Sequence, residues 1–212
     1  MKRVCDRLAG AIMRRGGRED ADLEVVSYGL QCALVTMLEF VSIFILAALL
    51  GMFREILVIS AVFVTVRHAA GGVHFSTFTR CLVSSVIYII SGGFAALFII
   101  GLPAVWGMLY LAAGGIFTVY AALRYAPREN PNRPISEKEQ RKFRAISLAM
   151  VGIVLTGLLI DLLYRGNALW YHHSLVTGLL LQGFTLTDAG YRTVKFAENK
   201  LDKGGGVANE ES

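Results

Sequence analysis

The chain has 212 residues, of which 55% are hydrophobic and only 17% are charged. Soluble proteins average about 25% charged residues, and the apolar residues here form long runs, so the composition predicts a polytopic membrane protein. Three scattered cysteines do not make a disulfide framework or a zinc-site pattern. The net charge is +5, but the basic residues are not clustered with aromatic residues in the way that suits nucleic-acid binding. No nucleic-acid partner is therefore expected.

The first segment, residues 1–28, is polar and basic, with apolar residues spaced along one face of a short helix. This pattern predicts an amphipathic helix at the membrane interface. No apolar core precedes a small-residue cleavage site, so we expect no signal peptide. Residues 30–50 are predicted to be the first span, because a span needs about 20 apolar residues and only Gln31 and Glu39 are strongly polar here.

Five more apolar segments predict further transmembrane helices, which gives an all-α fold with six spans in one membrane domain over residues 1–190. These segments are 52–70, 82–102, 104–123, 146–164 and 169–186. The segment 52–70 is also compatible with a helix that enters the bilayer and breaks, because its apolar run ends before Arg67 and His68. The glycine-rich, acidic tail at 202–212 has few apolar residues and is predicted to be disordered.

The distribution of basic residues predicts the orientation, because lysine and arginine accumulate on the cytoplasmic side of a membrane. With a cytoplasmic N-terminus, 19 of the 21 basic residues lie on that side, and Arg54 and Arg165 are the exceptions. The basic loop after the fourth span and the basic tail require an even number of spans. Both termini are therefore predicted to be cytoplasmic.

The segment between the second and third spans has the most unusual composition. Residues 67–81 read RHAAGGVHFSTFTRC and combine two histidines, two arginines, a glycine pair and a cysteine. Ionisable residues at membrane depth usually mark a functional site. A plain loop, with arginines bound to lipid headgroups and glycines in a turn, would have the same composition, so both interpretations stay open.

The spacing of His74 and Cys81 restricts how they can meet. On one continuous helix their separation of seven residues corresponds to about 10.5 Å along the axis, which is too far for a thiol and its base. The glycine pair permits a break, and a serine or threonine at 76, 77 or 79 can cap a helix that continues as the third span. This predicts His74 on a turn and Cys81 near the start of that helix, where the helix N-terminus and Arg80 would favour thiolate.

These residues resemble a motif of the accessory gene regulator B (AgrB-like) family, membrane cysteine endopeptidases that process a quorum-sensing pro-peptide. The resemblance lies in Arg67, His68, the glycine pair, His74 and Cys81, and in a second segment, APRENPNRPI at 126–135. It covers most of the chain. It implies that His74 and Cys81 are the catalytic pair and that Arg67 and Gly72 occupy other required positions.

The resemblance also implies a reaction. Cys81 would attack a peptide bond of a small amphipathic, AgrD-like pro-peptide, with His74 as the general base, and release the C-terminal piece. A thiol or hydroxyl of the bound peptide would then attack the thioester and close a thiolactone or lactone. Arg67 or Arg80 would hold the acidic part of the substrate. No metal or other cofactor is expected, and a homodimer is one possible assembly.

Two other functions remain open: a peptide transporter or exporter, and a non-catalytic membrane scaffold. Glu39 within the first span would suit a transporter, but the sequence shows no inverted repeat and no P-loop. Three roles are open for Glu39, namely orienting His74, lining a peptide site or pairing with another helix.

The remaining polar residues are predicted to be structural. His172 and His173 lie beside Trp170 and Tyr171, which is typical of an interfacial aromatic belt. Asp161 and Asp188, near span ends, are expected to be solvated. Cys5 and Cys32 have no neighbouring base and are expected to be unreactive.

Overall fold

The computed structural model describes residues 2–16, 23–128 and 136–204, and these ranges contain eight α-helices. The predicted all-α fold is confirmed. The helices are α1 (Lys2–Gly16), α2 (Leu23–Leu49), α3 (Phe53–Ala70), α4 (Phe78–Ile100), α5 (Ala104–Tyr125), α6 (Glu137–Arg165), α7 (Trp170–Leu186) and α8 (Asp188–Gly204).

Four of these helices, α2, α4, α5 and α6, are long and apolar enough to cross a membrane. The chain is therefore a multi-pass membrane protein. The helices α3 and α7 have 18 and 17 residues, which gives lengths of about 27 and 26 Å. They carry the polar residues described below.

The helices α2 to α7 run alternately between two ends of a bundle. At one end the Arg54 guanidinium lies over the Trp170 ring at 5.0 Å, which joins the starts of α3 and α7. At the other end the ring of Tyr28, early in α2, lies 5.9 Å from that of Phe78 at the start of α4. The loops after α3, α5 and α7 share this second end with the N-terminus of α4.

The centre of the bundle is the contact between α3 and α7. Ile59 on α3 and Leu179 on α7 are fully buried, and a Cβ on Gly178 would lie 2.8 Å from the Ile59 carbonyl oxygen. Only glycine therefore allows this approach of the two backbones. Hydrogen bonds from neighbouring helices add to it, since the Tyr88 hydroxyl donates to the Leu181 carbonyl at 2.8 Å. Small residues and polar groups of this kind typically hold membrane helices together.

The helix α6 starts nine residues before the predicted span at 146–164. Its first turns are polar, so the apolar run does not reveal them. They are fixed by a capping box, in which Ser136 Oγ accepts from the Glu139 amide and Glu139 accepts from the Ser136 amide.

The two terminal helices pack outside the bundle. In α1 the amphipathic pattern does form a helix, with Cys5 and Ala9 buried and Asp6 accepting a 2.5 Å hydrogen bond from Ser27. The helix α8 was not predicted. It takes in Asp202, so the predicted disordered tail at 202–212 starts too early, and residues 205–212 lie outside the described part of the chain.

The prediction for the polar residues at the far end is wrong in two respects. His172, predicted to belong to an interfacial aromatic belt, is fully buried in the protein, and its Nε2 lies 3.0 Å from Asp161. Asp161 is paired rather than merely solvated, because it also accepts from Arg165 and Tyr171. The physical reason is a capping requirement: Leu169 has no polar side chain, so His172 Nδ1 accepts its backbone amide at 2.9 Å.

Replacing Gly178 by alanine is expected to lower the free energy of unfolding by about 1–3 kcal/mol, because α3 and α7 must separate. Thermal unfolding in detergent measures this. The matched control is Gly157→Ala on α6, where a Cβ meets open space and alanine improves helix propensity. Equal melting temperatures for the two variants would contradict the proposed close contact.

Candidate active site

The chain breaks between α3 and α4 at the glycine pair. Gly71 has φ 70° and Gly72 has φ 148°, which are conformations that favour glycine. The helix α4 then starts at Phe78, with Thr77 Oγ1 accepting from the Arg80 amide at 3.4 Å. His74 lies on the loop and Cys81 in the first turn of α4, as predicted from the spacing.

The loop after α5 fixes the glycine pair from one side. The Arg128 amide donates to the Ala70 carbonyl at 2.8 Å, and a Cβ on Gly71 would lie 2.4 Å from the Arg128 oxygen. Arg128 also donates to the Leu186 carbonyl and to Asp188, each at 2.9 Å. Asp188 is therefore paired rather than only solvated. The start of the second sequence motif thus contacts the first motif, while its residues 129–135 lie outside the described ranges.

Arg67, near the end of α3, connects the loop to α7. Its Nη2 donates to the Val73 carbonyl at 2.6 Å and lies 3.2 Å from His74 Nε2. Its Nη1 donates to Thr185 Oγ1 at 3.2 Å. A Cβ on Gly72 would lie 2.6 Å from Nη1, so a glycine is needed where the guanidinium passes the loop.

Two α7 side chains that were not predicted as site residues complete this network. Gln182 donates to the Gly71 carbonyl at 2.8 Å, and the Thr185 hydroxyl donates to the Gln182 carbonyl at 2.8 Å. Both residues are buried. Gln182 could have been found from the sequence, because a glutamine within an apolar helix usually has a functional or structural partner. Nothing in the sequence distinguishes Thr185.

His74 is neutral in this environment. Nearby protein atoms displace water from the imidazole, and this burial, together with the positive charge of Arg67, lowers the pKa of His74 to about 4. The residue as a whole still keeps exposed surface. A neutral imidazole can accept a proton, which is what a general base requires.

The Cys81 thiol lies beside the Phe75 backbone and the Ser85 side chain, and Glu39 and Arg67 are near enough to interact with it electrostatically. It makes no hydrogen bond with His74 in this state, because the imidazole contacts Arg67 instead. Catalytic hydrogen bonds are often long or absent before substrate binds.

Both groups line one cavity of about 670 Å³. Glu39 from α2, Phe63 and Arg67 from α3 and Tyr88 from α4 lie in its wall, and residues of α7 and α8 close it. Of the three roles left open for Glu39, lining the site therefore has structural support. The cavity has the size of a ligand pocket, with apolar walls and a few converging polar groups.

Arg80 is engaged by a residue of α8. Its guanidinium pairs with Asp202 of α8 at 2.6 Å. The predicted influence of Arg80 on Cys81 therefore has no supporting contact in the structure, which brings Arg67 rather than Arg80 close to the thiol. Within the described part of the chain, no group of three or more metal-ligating side chains comes together.

The family model for accessory gene regulator B matches residues 5–186, which include the broken segment, all of α2 to α7 and every cavity residue except those of α8. The chain belongs to the accessory gene regulator B family. Among curated proteins and solved structures, no match to the chain is found. Family membership implies a role in the membrane processing of quorum-sensing peptides.

The lowered pKa of His74 predicts a pH dependence of stability. Between about pH 6.5 and 4 the unfolded chain binds a proton that the folded chain does not, so stability falls as pH falls through this range. Melting temperatures measured against pH test this. In the His74→Gln variant the melting temperature should depend less on pH between about pH 6.5 and 4. An unchanged pH dependence would contradict the lowered pKa of His74.

Replacing Gly72 by alanine is expected to displace Arg67 and, with it, His74. A misplacement of about 1 Å lowers activity on the order of 100-fold, measured as the fraction of co-expressed pro-peptide that is processed. Gly166→Ala is the matched control, because Gly166 also has a positive φ but a Cβ there meets open space. If both variants process peptide equally, steric contact with Arg67 is not the cause.

Proposed function

We propose that this protein is a membrane cysteine endopeptidase that cleaves a small amphipathic quorum-sensing pro-peptide and promotes its cyclisation. The observation that carries the proposal is the break between α3 and α4, which brings His74 and Cys81 to one cavity wall beside Arg67. A neutral histidine and a cysteine at a helix N-terminus are the groups that nucleophilic peptide cleavage needs.

The first half-reaction is acyl transfer to Cys81. His74 rotates from Arg67 toward the thiol and takes its proton as the sulfur attacks the scissile carbonyl carbon. The carbon–sulfur bond forms, the carbon–nitrogen bond breaks, and the imidazolium returns the proton to the leaving amine. The products are a Cys81 thioester and the free C-terminal piece of the peptide.

The second half-reaction closes the ring. A thiol or hydroxyl within the bound peptide attacks the thioester carbonyl, gives its proton to His74, and releases the Cys81 thiol, which regains that proton. Thiolactone or lactone formation therefore needs no redox partner. The apolar walls of the cavity support cyclisation over hydrolysis, because they limit water at the thioester.

The other site residues have distinct proposed roles. Arg67 is occupied by Val73, His74 and Thr185, so it positions the loop, and Gly72 leaves space for it. Arg80, whose present partner is largely exposed, is better suited to hold the acidic part of the substrate. Glu39 lines the peptide site.

We also propose that all six helices α2 to α7 span the membrane, with both termini in the cytoplasm. The alternation of the helices between the two ends of the bundle supports six crossings. The two basic residues predicted to lie outside, Arg54 and Arg165, are at the end remote from His74, whereas α1, Arg128 and α8 are at the near end. The positive-inside rule then gives a cytoplasmic site.

Replacing Cys81 by alanine, or His74 by alanine, is expected to abolish processing while the protein stays in the membrane. Mass spectrometry of the wild type should detect a covalent peptide adduct on Cys81 that hydroxylamine removes, as expected of a thioester. Cys32→Ala on α2 is the control and should retain activity. Processing by a protein without Cys81 would overturn the mechanism.

A further inference from the structure

The helix α8 lies across the mouth of the cavity. Gly190, Thr193, Val194 and Ala197 form part of the cavity wall, so one face of α8 is turned toward the site. Its start is fixed, because the Arg128 side chain binds Asp188. Its far end is held by two further contacts, both made by carboxylates.

These two contacts join α8 to the start of α4. Glu198 Oε1 accepts from the Ser76 backbone amide at 2.6 Å, and Asp202 Oδ1 lies 2.6 Å from Arg80 Nη2. Glu198 and Asp202 are four residues apart and share one helix face, about 6 Å from each other along the axis. The groups they meet are both donors, one of them charged, and lie where the N-terminus of α4 adds positive potential.

We propose that the Ser76 amide and the Arg80 guanidinium form a subsite for two carboxylates of an acidic peptide segment, which α8 fills with Glu198 and Asp202 until such a peptide displaces it. The inference rests on the proposed function for the identity of that peptide as substrate. A donor pair without an acceptor selects anions, and the spacing of the two donors matches carboxylates carried on one chain.

The contacts of α8 are suited to exchange. Asp202 is 63% exposed and its partner Arg80 is 28% exposed, and exposed ion pairs contribute little to stability. The outer face of α8 carries exposed Phe196 beside basic residues, which is typical of a helix that can lie on a membrane surface. Displacement therefore leaves α8 with an alternative position while Asp188 keeps its start in place.

The cavity explains why a peptide fits the subsite better than a lipid headgroup. Ser76 and Arg80 do not line the cavity themselves, but their chain neighbours Phe75 and Cys81 do, so a short path joins the subsite to the thiol. A peptide whose acidic segment is bound at Ser76 and Arg80 would extend along this path toward the thiol, so the same contact that removes α8 would align the chain for cleavage.

Binding of a fluorescent oligoglutamate peptide to the full-length protein in neutral lipid nanodiscs tests the proposal, with oligoglutamine as the reference peptide. The double variant Glu198→Gln/Asp202→Asn is expected to bind oligoglutamate at least five-fold more tightly than wild type, because the competing carboxylates are gone. Arg80→Gln is expected to bind it at least five-fold more weakly. Alkylation of Cys81 should also become several-fold faster in the double variant.

The charge-matched control is Glu137→Gln/Glu139→Gln at the start of α6, since glutamine keeps the capping box. The proposed subsite would be overturned if this control bound oligoglutamate as tightly as the double variant does. It would also be overturned if Arg80→Gln left the affinity for oligoglutamate unchanged. A rise in Cys81 alkylation with anionic phosphatidylglycerol, without oligoglutamate binding, would assign the subsite to lipid instead. All binding is measured in a Cys81→Ala background, so the result does not depend on whether Cys81 cleaves peptides.

Discussion

The guanidinium of Arg67 is the interaction on which the rest of the site depends. It reaches the Val73 carbonyl, the His74 ring and the Thr185 hydroxyl at once, so it joins the end of α3, the loop and the end of α7. The donors of a partly buried arginine must be hydrogen-bonded. The loop backbone at Gly72 and Val73 supplies an acceptor only by lying very close to the guanidinium. The need for glycine at position 72 and the loop conformation follow from that position, and the Arg67 charge adds to the burial that lowers the pKa of His74.

The need to satisfy buried hydrogen-bonding groups also explains why the two central helices, α3 and α7, are the least suited to contact with lipid. α3 and α7 carry Arg67, Gln182 and Thr185, whose hydrogen bonds are made inside the protein. In a bilayer such groups need protein partners. The four apolar helices α2, α4, α5 and α6 surround this pair and place their exposed apolar side chains outward. An apolar outer layer around a polar centre thus lets a membrane protein hold charged and hydrogen-bonding groups such as Arg67 and Gln182 inside the bundle.

Local patterns in the sequence predict the parts of the fold that are set by neighbouring residues. Apolar runs predict the helices, the glycine pair predicts the break, and Thr77 is one of three predicted caps for α4. These features depend on propensity and on short-range hydrogen bonds. They are enough to place His74 and Cys81 on the correct local elements.

The features that were not predicted depend on contacts between distant parts of the chain. Gln182 bonds Gly71 across 111 positions, and nothing near Gln182 reveals that partner. The burial of His172 follows from the packing of α7, and the pairing of Arg80 follows from the position of α8. The helix α8 has the periodicity of a surface helix, but its apolar content is low, so its role at the cavity becomes visible only through Glu198 and Asp202.

The environment of His74 has a consequence for the proposed reaction. Burial and the charge of Arg67 lower its pKa to about 4, so an imidazolium paired with a stable thiolate is disfavoured in the resting state. Proton transfer from Cys81 must then accompany formation of the carbon–sulfur bond rather than precede it. A thiol that is nucleophilic only when a peptide carbonyl is in place reacts little with other electrophiles. In the resting state α8 also borders the cavity, so both the neutral thiol and the covering helix limit unwanted alkylation of Cys81 until a peptide binds.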